Sequence, residues 1–302
     1  MKPKPRERIT EQTNPASESL DTQSTRETLR LINREDHRVA AAVGKTLPQI
    51  ARAVDMAARA IRNGGRLIYL GSGTSGRLGV LDAAECAPTF GTDRVVAILA
   101  GAPASLTSSV EEVEDNPQQA VRDLKKIRLS RLDLLVGISA SGRAPYVLGG
   151  MRFARTLKAK VVGLTCNPEA PIQRLADVTI IPVVGPEVIA GSSRMKAGTA
   201  QKLVLNMLST ATMVRLGNVL SGSMINVQPT NRKLRKRAEG ILTEFTGASK
   251  ATVARALKDS RRNLPVALLM VLKKITRHEA ALLLEKGASV AAVLREAMAD
   301  VM

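Results

Sequence analysis

The fold of this chain is decided by the stretch Leu70-Gly71-Ser72-Gly73-Thr74-Ser75-Gly76-Arg77, which is echoed in Ile138-Ser139-Ala140-Ser141-Gly142-Arg143. Each copy follows an apolar run and precedes a segment with helical spacing. A strand that turns through such a loop into a helix presents free backbone N–H groups and the positive end of a helix dipole. A single loop of this kind often binds nothing, but two with serines at matching places predict a phosphate site at the carboxyl edge of a parallel sheet.

The loops differ from the common nucleotide motifs. The first fits the spacing G-x-G-x-x-G, but Thr74, Ser75, Ser139 and Ser141 add side-chain donors that a dinucleotide fold does not need. Apolar residues 97–100 stand where a carboxylate would be required for a ribose. The lysine of a P-loop is also missing at the required spacing. The pattern therefore favours a sugar phosphate.

Five apolar runs predict buried strands, and helical segments separate most of them. The runs are Arg66–Gly71, Arg94–Ala100, Leu132–Ser139, Lys160–Thr165 and Asp177–Pro182. This alternation predicts an α/β fold: a three-layer α/β/α sandwich around a five-stranded, mainly parallel sheet.

Helices are predicted on both sides of the strand region. Ser24-Thr25-Arg26-Glu27 has capping-box spacing and predicts a helix towards Arg34. A second pattern runs over 35–62 and is ended by Gly64-Gly65. After a loop over 185–193, residues 194–216 predict a long apolar helix, of a kind that is usually core or dimer interface.

Three segments are predicted along the chain. Residues 1–18 form a polar N-terminal arm, residues 19–230 the phosphosugar domain with its N-terminal helices, and residues 231–302 a small helical domain. In the last, short helical segments are separated by Gly247-Ala248-Ser249, Asn263-Leu264-Pro265 and Gly287-Ala288-Ser289. We expect the role of this domain to be packing and orientation, because none of its residues indicates a catalytic function.

The net charge of +18 has two interpretations, a basic solvated surface or nucleic-acid binding. The chain has three Phe, two Tyr and no Trp, so platforms for stacking bases are scarce, and Phe245 alone falls in the basic region after 231. The sequence therefore predicts no specific nucleic-acid partner.

The remaining composition predicts a cytoplasmic protein. The N-terminus lacks the apolar stretch of a signal peptide, and no window holds 18 uninterrupted apolar residues, so no membrane association is expected. Two cysteines, Cys86 and Cys166, make a disulfide framework or a thiolate metal site improbable.

Acid–base chemistry must fall largely to carboxylates. The two histidines, His37 and His278, sit among charged residues on predicted helices, which excludes a histidine triad or metal cluster. Glu85 lies in a mostly apolar helix that starts at the first loop, and Glu114 follows the second predicted strand at the same sheet edge. A glutamate with apolar neighbours can hold a proton as a general acid, while a second in a wetter setting acts as base. On spacing alone, each also fits an ordinary helix-face residue.

The two loops resemble those of a sugar isomerase (SIS) domain, and longer runs resemble the N-acetylmuramic acid 6-phosphate etherase family over nearly the whole chain. These runs are Thr10–Asn14, Tyr69–Arg77, Asp82–Cys86, Gly191–Thr199 and Thr230–Leu234. The resemblance implies a lyase that cleaves the D-lactyl ether of N-acetylmuramic acid 6-phosphate by elimination and water addition in cell-wall sugar recycling, without a metal or redox cofactor.

The resemblance also implies roles for single residues. Glu85 matches the family's acid and Glu114 its second acid/base residue. The substrate and its phosphate are expected to contact Ser72, Thr74, Ser75, Ser139, Ser141, Gly142, Ser192, Ser193 and Lys196. Ala144 departs from the pattern, since many such loops carry a threonine there. A homodimer is expected, with 192–196 and the N-terminal arm completing the partner's site.

Two other functions stay open at this level. A non-catalytic sugar-phosphate sensor, of the kind that regulates glucokinase, shares the SIS architecture, although the presence of both Glu85 and Glu114 argues against it. A nucleic-acid-binding regulator would need a helix-turn-helix domain before the sheet, and the predicted N-terminal helices leave little room for one.

Overall fold

A computed structural model describes residues 9–108, 110–286 and 289–300 of the chain. The predicted positions 1–8 of the N-terminal arm and the predicted separator at Gly287 and Ala288 lie outside these residues. The described residues divide into two compact units. One falls within Met1–Ala83 and Arg94–Ser209, and the other within Ala84–Asp93 and Thr210–Met302.

The first unit is built on a five-stranded sheet in the order β2-β1-β3-β4-β5, with every neighbouring pair parallel. The strands are β1 (Leu67–Gly71), β2 (Val95–Leu99), β3 (Leu134–Ile138), β4 (Lys160–Leu164) and β5 (Val178–Ile180). β1 and β3 are buried throughout, as expected for strands covered on both faces. The predicted α/β/α fold is thereby confirmed.

Helices cover both faces of this sheet. The helices that lie wholly or partly in this unit are α1 (Thr25–Gly44), α2 (Leu47–Arg62), α3 (Gly73–Phe90), α4 (Pro117–Lys126), α5 (Pro145–Thr156) and α6 (Lys196–Arg215). Side chains of α4 and α5 form one core with Ile68, Leu70 and Leu135. On the opposite face α3 approaches the sheet at Gly79, where an added Cβ would lie 3.1 Å from that of Tyr69.

The N-terminal helices differ from their predicted bounds. The capping box of Ser24 and Glu27 opens α1 as expected, but α1 continues past Arg34 to Gly44. The predicted break between 34 and 35 is wrong, because Glu35 continues the buried i, i+4 stripe of α1 that Leu31, Val39 and Val43 form. The helical stretch is interrupted at Lys45 and Thr46 instead, between α1 and α2. Pro48 lies in the first turn of α2, where the N–H that proline lacks would have no acceptor within the helix.

The second unit contains α7 (Arg232–Thr246), α8 (Lys250–Asp259), α9 (Leu264–Lys273), α10 (Arg277–Lys286) and α11 (Val290–Ala299). These helices share one apolar core with Leu220, Ile225 and Val227. The unit therefore begins earlier than the predicted boundary at 231. The break between α9 and α10 was not predicted, although Thr276 and Glu279 form a capping box there.

Among the described residues, no helix is long and apolar enough to cross a membrane. Both cysteines are buried and neither forms a disulfide, and burial raises the pKa of the Cys166 thiol to about 12. No cluster of metal-ligating side chains occurs within the described ranges.

Candidate active site

A cavity of about 470 Å³ opens at the carboxyl edge of the sheet in the first unit. Most of the lining side chains are polar. They are Thr10, Glu11, Ser72, Thr74, Ser75, Arg77, Ser105, Glu114, Asp115, Ser139, Ser141 and Ser193, with Gly73, Val110 and Ala140 between them. The fold thus brings both glycine-serine loops and Glu114 together in one place.

The first loop turns directly into α3. Ser72 follows β1, and the Gly76 N–H donates to the Ser72 carbonyl at 3.1 Å. The N–H groups of residues 73–75 lie in the first turn of α3, so they have no acceptor within the helix. These residues line the cavity, and the positive end of the helix dipole lies beside it. Only glycine fits at position 76, because an added Cβ would lie 2.6 Å from the Gly71 carbonyl oxygen.

The second loop is built differently. The Gly142 N–H donates to the Ser139 carbonyl at 2.9 Å and to the Ser139 hydroxyl at 3.0 Å, and Gly142 adopts a φ of +66°. Because of this turn, α5 begins only at Pro145, and its N-terminus does not lie at the second loop. Its donors are mainly the hydroxyls of Ser139 and Ser141, whose oxygens lie 3.4 Å apart. Gly142 shapes the turn and does not line the cavity.

Glu114 lies in a short 3-10 turn, Glu111–Asp115, in the segment that follows β2. Its Oε2 accepts a hydrogen bond of 3.0 Å from the Ser72 hydroxyl. Ser72 is nearly buried, so this bond fixes the half-buried carboxylate beside the first loop. Ser72 therefore holds Glu114 in place, a contact that the sequence did not reveal.

Asn167 joins the N-terminal segment to the second loop. Its side chain accepts from the Ile9 N–H at 3.0 Å, and its Nδ2 donates to the Ser141 carbonyl at 3.1 Å. The Thr10 carbonyl in turn accepts from the Gly191 N–H at 3.0 Å. This places Thr10 and Glu11 in the cavity of their own chain. That the arm completes a partner's site stays a prediction.

Lys196 lies in a buried ion pair and does not line the cavity. Its Nζ is 2.6 Å from Glu35 Oε2, and each side chain is 1% exposed. Burial raises the pKa of Glu35, but hydrogen bonds from Lys196 and Asn14 outweigh that effect and hold the pKa below its usual value. Lys196 is thus committed to Glu35, and a phosphate contact would require breaking the pair.

The same residues join the start of α6 to the loop before it. Both oxygens of Glu187 accept backbone N–H bonds of 2.9 Å, from Lys196 and Ala197. Burial outweighs these bonds and raises the pKa of Glu187. The carbonyl of Ser193, which lines the cavity, accepts from the Gly198 N–H at 2.9 Å, and this bond ties Ser193 to the start of α6. Ser192 lies on the same loop without lining the cavity.

We expect Lys196→Met to lower the free energy of unfolding by about 1.5–3 kcal/mol, because Glu35 Oε2 loses its buried charged donor while the exposed Arg38 still pairs with Oε1 at 2.9 Å. The control is Lys160→Met, which breaks an exposed pair with Asp177 and should cost under about 1 kcal/mol. Urea denaturation of both variants measures the difference. Equal losses would mean that the Lys196 pair contributes no more than a surface pair.

Glu85 is not among the residues that line the cavity. It lies late in α3, in the part of that helix assigned to the second unit, and its side chain is exposed. The apolar surroundings predicted for it are therefore not seen in the single chain. His37 and His278 are exposed on helices, as expected.

The sequence did not predict several of the residues that line the cavity. The sequence analysis includes Arg77, Thr10 and Glu11 only as parts of longer motifs and predicts no role for their side chains. Ser105 and Asp115 come from the irregular segment after β2, whose path depends on tertiary contacts. Position within a glycine-rich motif was the one available signal for Arg77.

The chain matches known SIS proteins in both sequence and fold. Residues 49–155 match the glucokinase regulatory protein N-terminal SIS domain, and residues 103–211 match the SIS domain. Phosphoheptose isomerase from Neisseria gonorrhoeae has a similar fold, with a TM-score of 0.50 and 18% identity, over 63% of this chain and 98% of that chain.

Two relatives are similar over almost the whole length. The N-acetylmuramic acid 6-phosphate etherase of Edwardsiella ictaluri (strain 93-146) is 51% identical over 280 residues, covering 92% of this chain and 93% of the relative. The N-acetylmuramic acid 6-phosphate etherase of Klebsiella aerogenes is 51% identical over 281 residues, covering 92% of this chain and 94% of the relative. With this degree of identity over this share of its length, the chain belongs to the N-acetylmuramic acid 6-phosphate etherase family.

Proposed function

We propose that this chain is a carbon–oxygen lyase that cleaves the D-lactyl ether of N-acetylmuramic acid 6-phosphate. The products are N-acetylglucosamine 6-phosphate and D-lactate, and the reaction serves cell-wall sugar recycling. The observation that supports the proposal is the position of Glu114, whose carboxylate lines the same cavity as both glycine-serine loops.

The phosphate binds where hydroxyl and backbone donors converge. Ser75 stands in the first turn of α3, and Ser139 and Ser141 face it from the second loop. Hydroxyl and N–H donors at a helix start suit a dianion, because they stabilise negative charge without a bound cation. Thr74 and Ser193 extend this set along the cavity wall.

The chemistry is an elimination followed by addition of water. In the open-chain aldehyde, the carbonyl acidifies the carbon that bears the acetamido group. Glu114 removes the proton from this carbon, and Glu85 protonates the lactate oxygen as its bond to the sugar breaks. Water then adds, giving oxygen to the carbon that carried the lactate and hydrogen to the acetamido-bearing carbon. General acid–base steps of this kind need no metal or redox cofactor.

The active species is a cytoplasmic homodimer in this proposal. Val183 and Ile189 are about half exposed on the segment that leads to Ser193, and a second copy would cover this apolar surface. Light scattering on the purified protein tests the dimer, and a mass equal to one chain would contradict it. Cell fractionation tests the location.

The activity is tested by incubating the purified chain with N-acetylmuramic acid 6-phosphate and measuring released D-lactate. Release at enzymatic rates supports the proposal. Tight binding without release would instead indicate a sugar-phosphate sensor and contradict it.

We expect Ser75→Ala and Ser141→Ala each to raise KM for the phosphorylated sugar roughly tenfold to a hundredfold, since a hydrogen bond to a charged group contributes about 1.5–3 kcal/mol. Thermal unfolding should change little. Ser19→Ala, at an exposed serine away from the cavity, is the control. If wild-type enzyme processes the unphosphorylated sugar equally well, these serines do not bind a phosphate.

A further inference from the structure

Arg77 is the one cationic side chain among the described residues that line the cavity. It lies in the second turn of α3 and is half-buried. The other charged side chains that line the cavity are carboxylates, namely Glu11, Glu114 and Asp115. An acidic ligand group on this side of the cavity would therefore be repelled unless Arg77 offset the charge.

The guanidinium of Arg77 is held in a fixed plane. Its Nε donates to the Ser105 carbonyl at 2.8 Å, and one Nη donates to the Ser108 carbonyl at 2.6 Å. A guanidinium has five N–H groups, so further donors remain for a ligand. An arginine whose plane is fixed in this way can bind a carboxylate in the two-pronged geometry that the group favours.

Arg77 and the serines of the second loop reach the cavity from different parts of the sheet. Ser139 and Ser141 follow β3, whereas Arg77 is bonded to the segment after β2, which also carries Glu114. β2 and β3 lie on opposite sides of β1 in the sheet. The second loop and the segment bonded to Arg77 thus lie on opposite sides of β1. With the phosphate held by Ser75 and the second loop, the reacting ether is assigned to the side of Arg77 and Glu114.

The substrate of the proposed function has a second anionic group on that side. The lactyl carboxylate is attached to the carbon that bears the ether oxygen, so it stays within a few bonds of the atoms on which Glu114 acts. We propose that Arg77 binds this carboxylate and selects sugar phosphates that carry an acidic ether. The inference rests on the proposed function and adds the residue that recognises the lactyl group.

The test compares the free acid of the substrate with its lactyl methyl ester, in wild type, Arg77→Gln and Arg77→Lys. Wild type should prefer the acid roughly tenfold to a hundredfold in kcat/KM, the range for a charge-assisted hydrogen bond. Arg77→Gln should process acid and ester at similar rates, with an unchanged inhibition constant for N-acetylglucosamine 6-phosphate, which lacks the lactyl group. Arg152→Gln, at an exposed arginine of α5, controls for the lost charge and should keep the preference.

Arg77→Lys keeps the charge and provides the measurement if Arg77→Gln does not fold, and it should retain only part of the preference for the acid. An unchanged preference in both variants would overturn the assignment. Equal weakening of acid, ester and product would also overturn it, by showing that Arg77 only anchors the segment of Ser105 and Ser108. A wild type that releases no D-lactate would refute the proposed function itself, which is a distinct result.

Discussion

Replacing Glu114 with glutamine should reduce D-lactate release roughly a hundredfold to ten-thousandfold, the usual contribution of a general acid or base. The change keeps the shape of the side chain and removes the group that takes the proton. The Ser72 hydroxyl can still donate to the amide oxygen, so the segment after β2 should keep its position. The substrate should consequently bind with a near-normal dissociation constant while kcat falls.

Glu112→Gln is the matched control for this variant. Glu112 lies in the same 3-10 turn, but its side chain is exposed. Its loss should leave turnover unchanged. Similar losses from both variants would show that the turn, and not the Glu114 carboxylate, is what the reaction requires.

Replacing Glu85 with glutamine should reduce turnover by a similar factor, because the departing lactate then lacks its proton donor. The fold should be preserved, since the Glu85 side chain is exposed. Steady-state rates and thermal unfolding of Glu85→Gln measure the two effects. Glu244→Gln, at an exposed glutamate of α7, serves as the control.

The Glu85 variant also tests whether Glu85 or another carboxylate donates the proton to the departing lactate. The single chain does not enclose Glu85 in apolar side chains, so the dry environment that keeps an acid protonated has to arise with the bound substrate or a second copy. Unchanged turnover in Glu85→Gln would remove this residue from the mechanism. The acid would then be sought among the other carboxylates that line the cavity, Glu11 and Asp115.

The sheet and both loops could be predicted from the sequence because their signals are local. Five apolar runs of strand length recur in the chain, and the glycines at 71 and 76 stand where a strand end and a helix start approach closely. Parallel strands then place both loops at one edge, so the convergence of Ser75 and Ser139 followed from topology alone.

The remaining features depend on long-range contacts that no local pattern encodes. Lys196 stands in a motif beside Ser193, yet its partner Glu35 lies in α1, far away in sequence. The same is true of Asn167, whose side chain fixes Ile9. Glu35 lies in the buried stripe of α1 with Leu31, Val39 and Val43, but no local pattern encodes its pairing with Lys196.

The most direct test of the account is the reaction of N-acetylmuramic acid 6-phosphate with this protein in heavy water, followed by NMR of the sugar product. Elimination breaks the carbon–hydrogen bond at the carbon bearing the acetamido group, and the addition of water restores it from solvent. The account predicts D-lactate together with N-acetylglucosamine 6-phosphate that carries deuterium at this carbon. Release of D-lactate without deuterium at this carbon would contradict the elimination and indicate direct displacement.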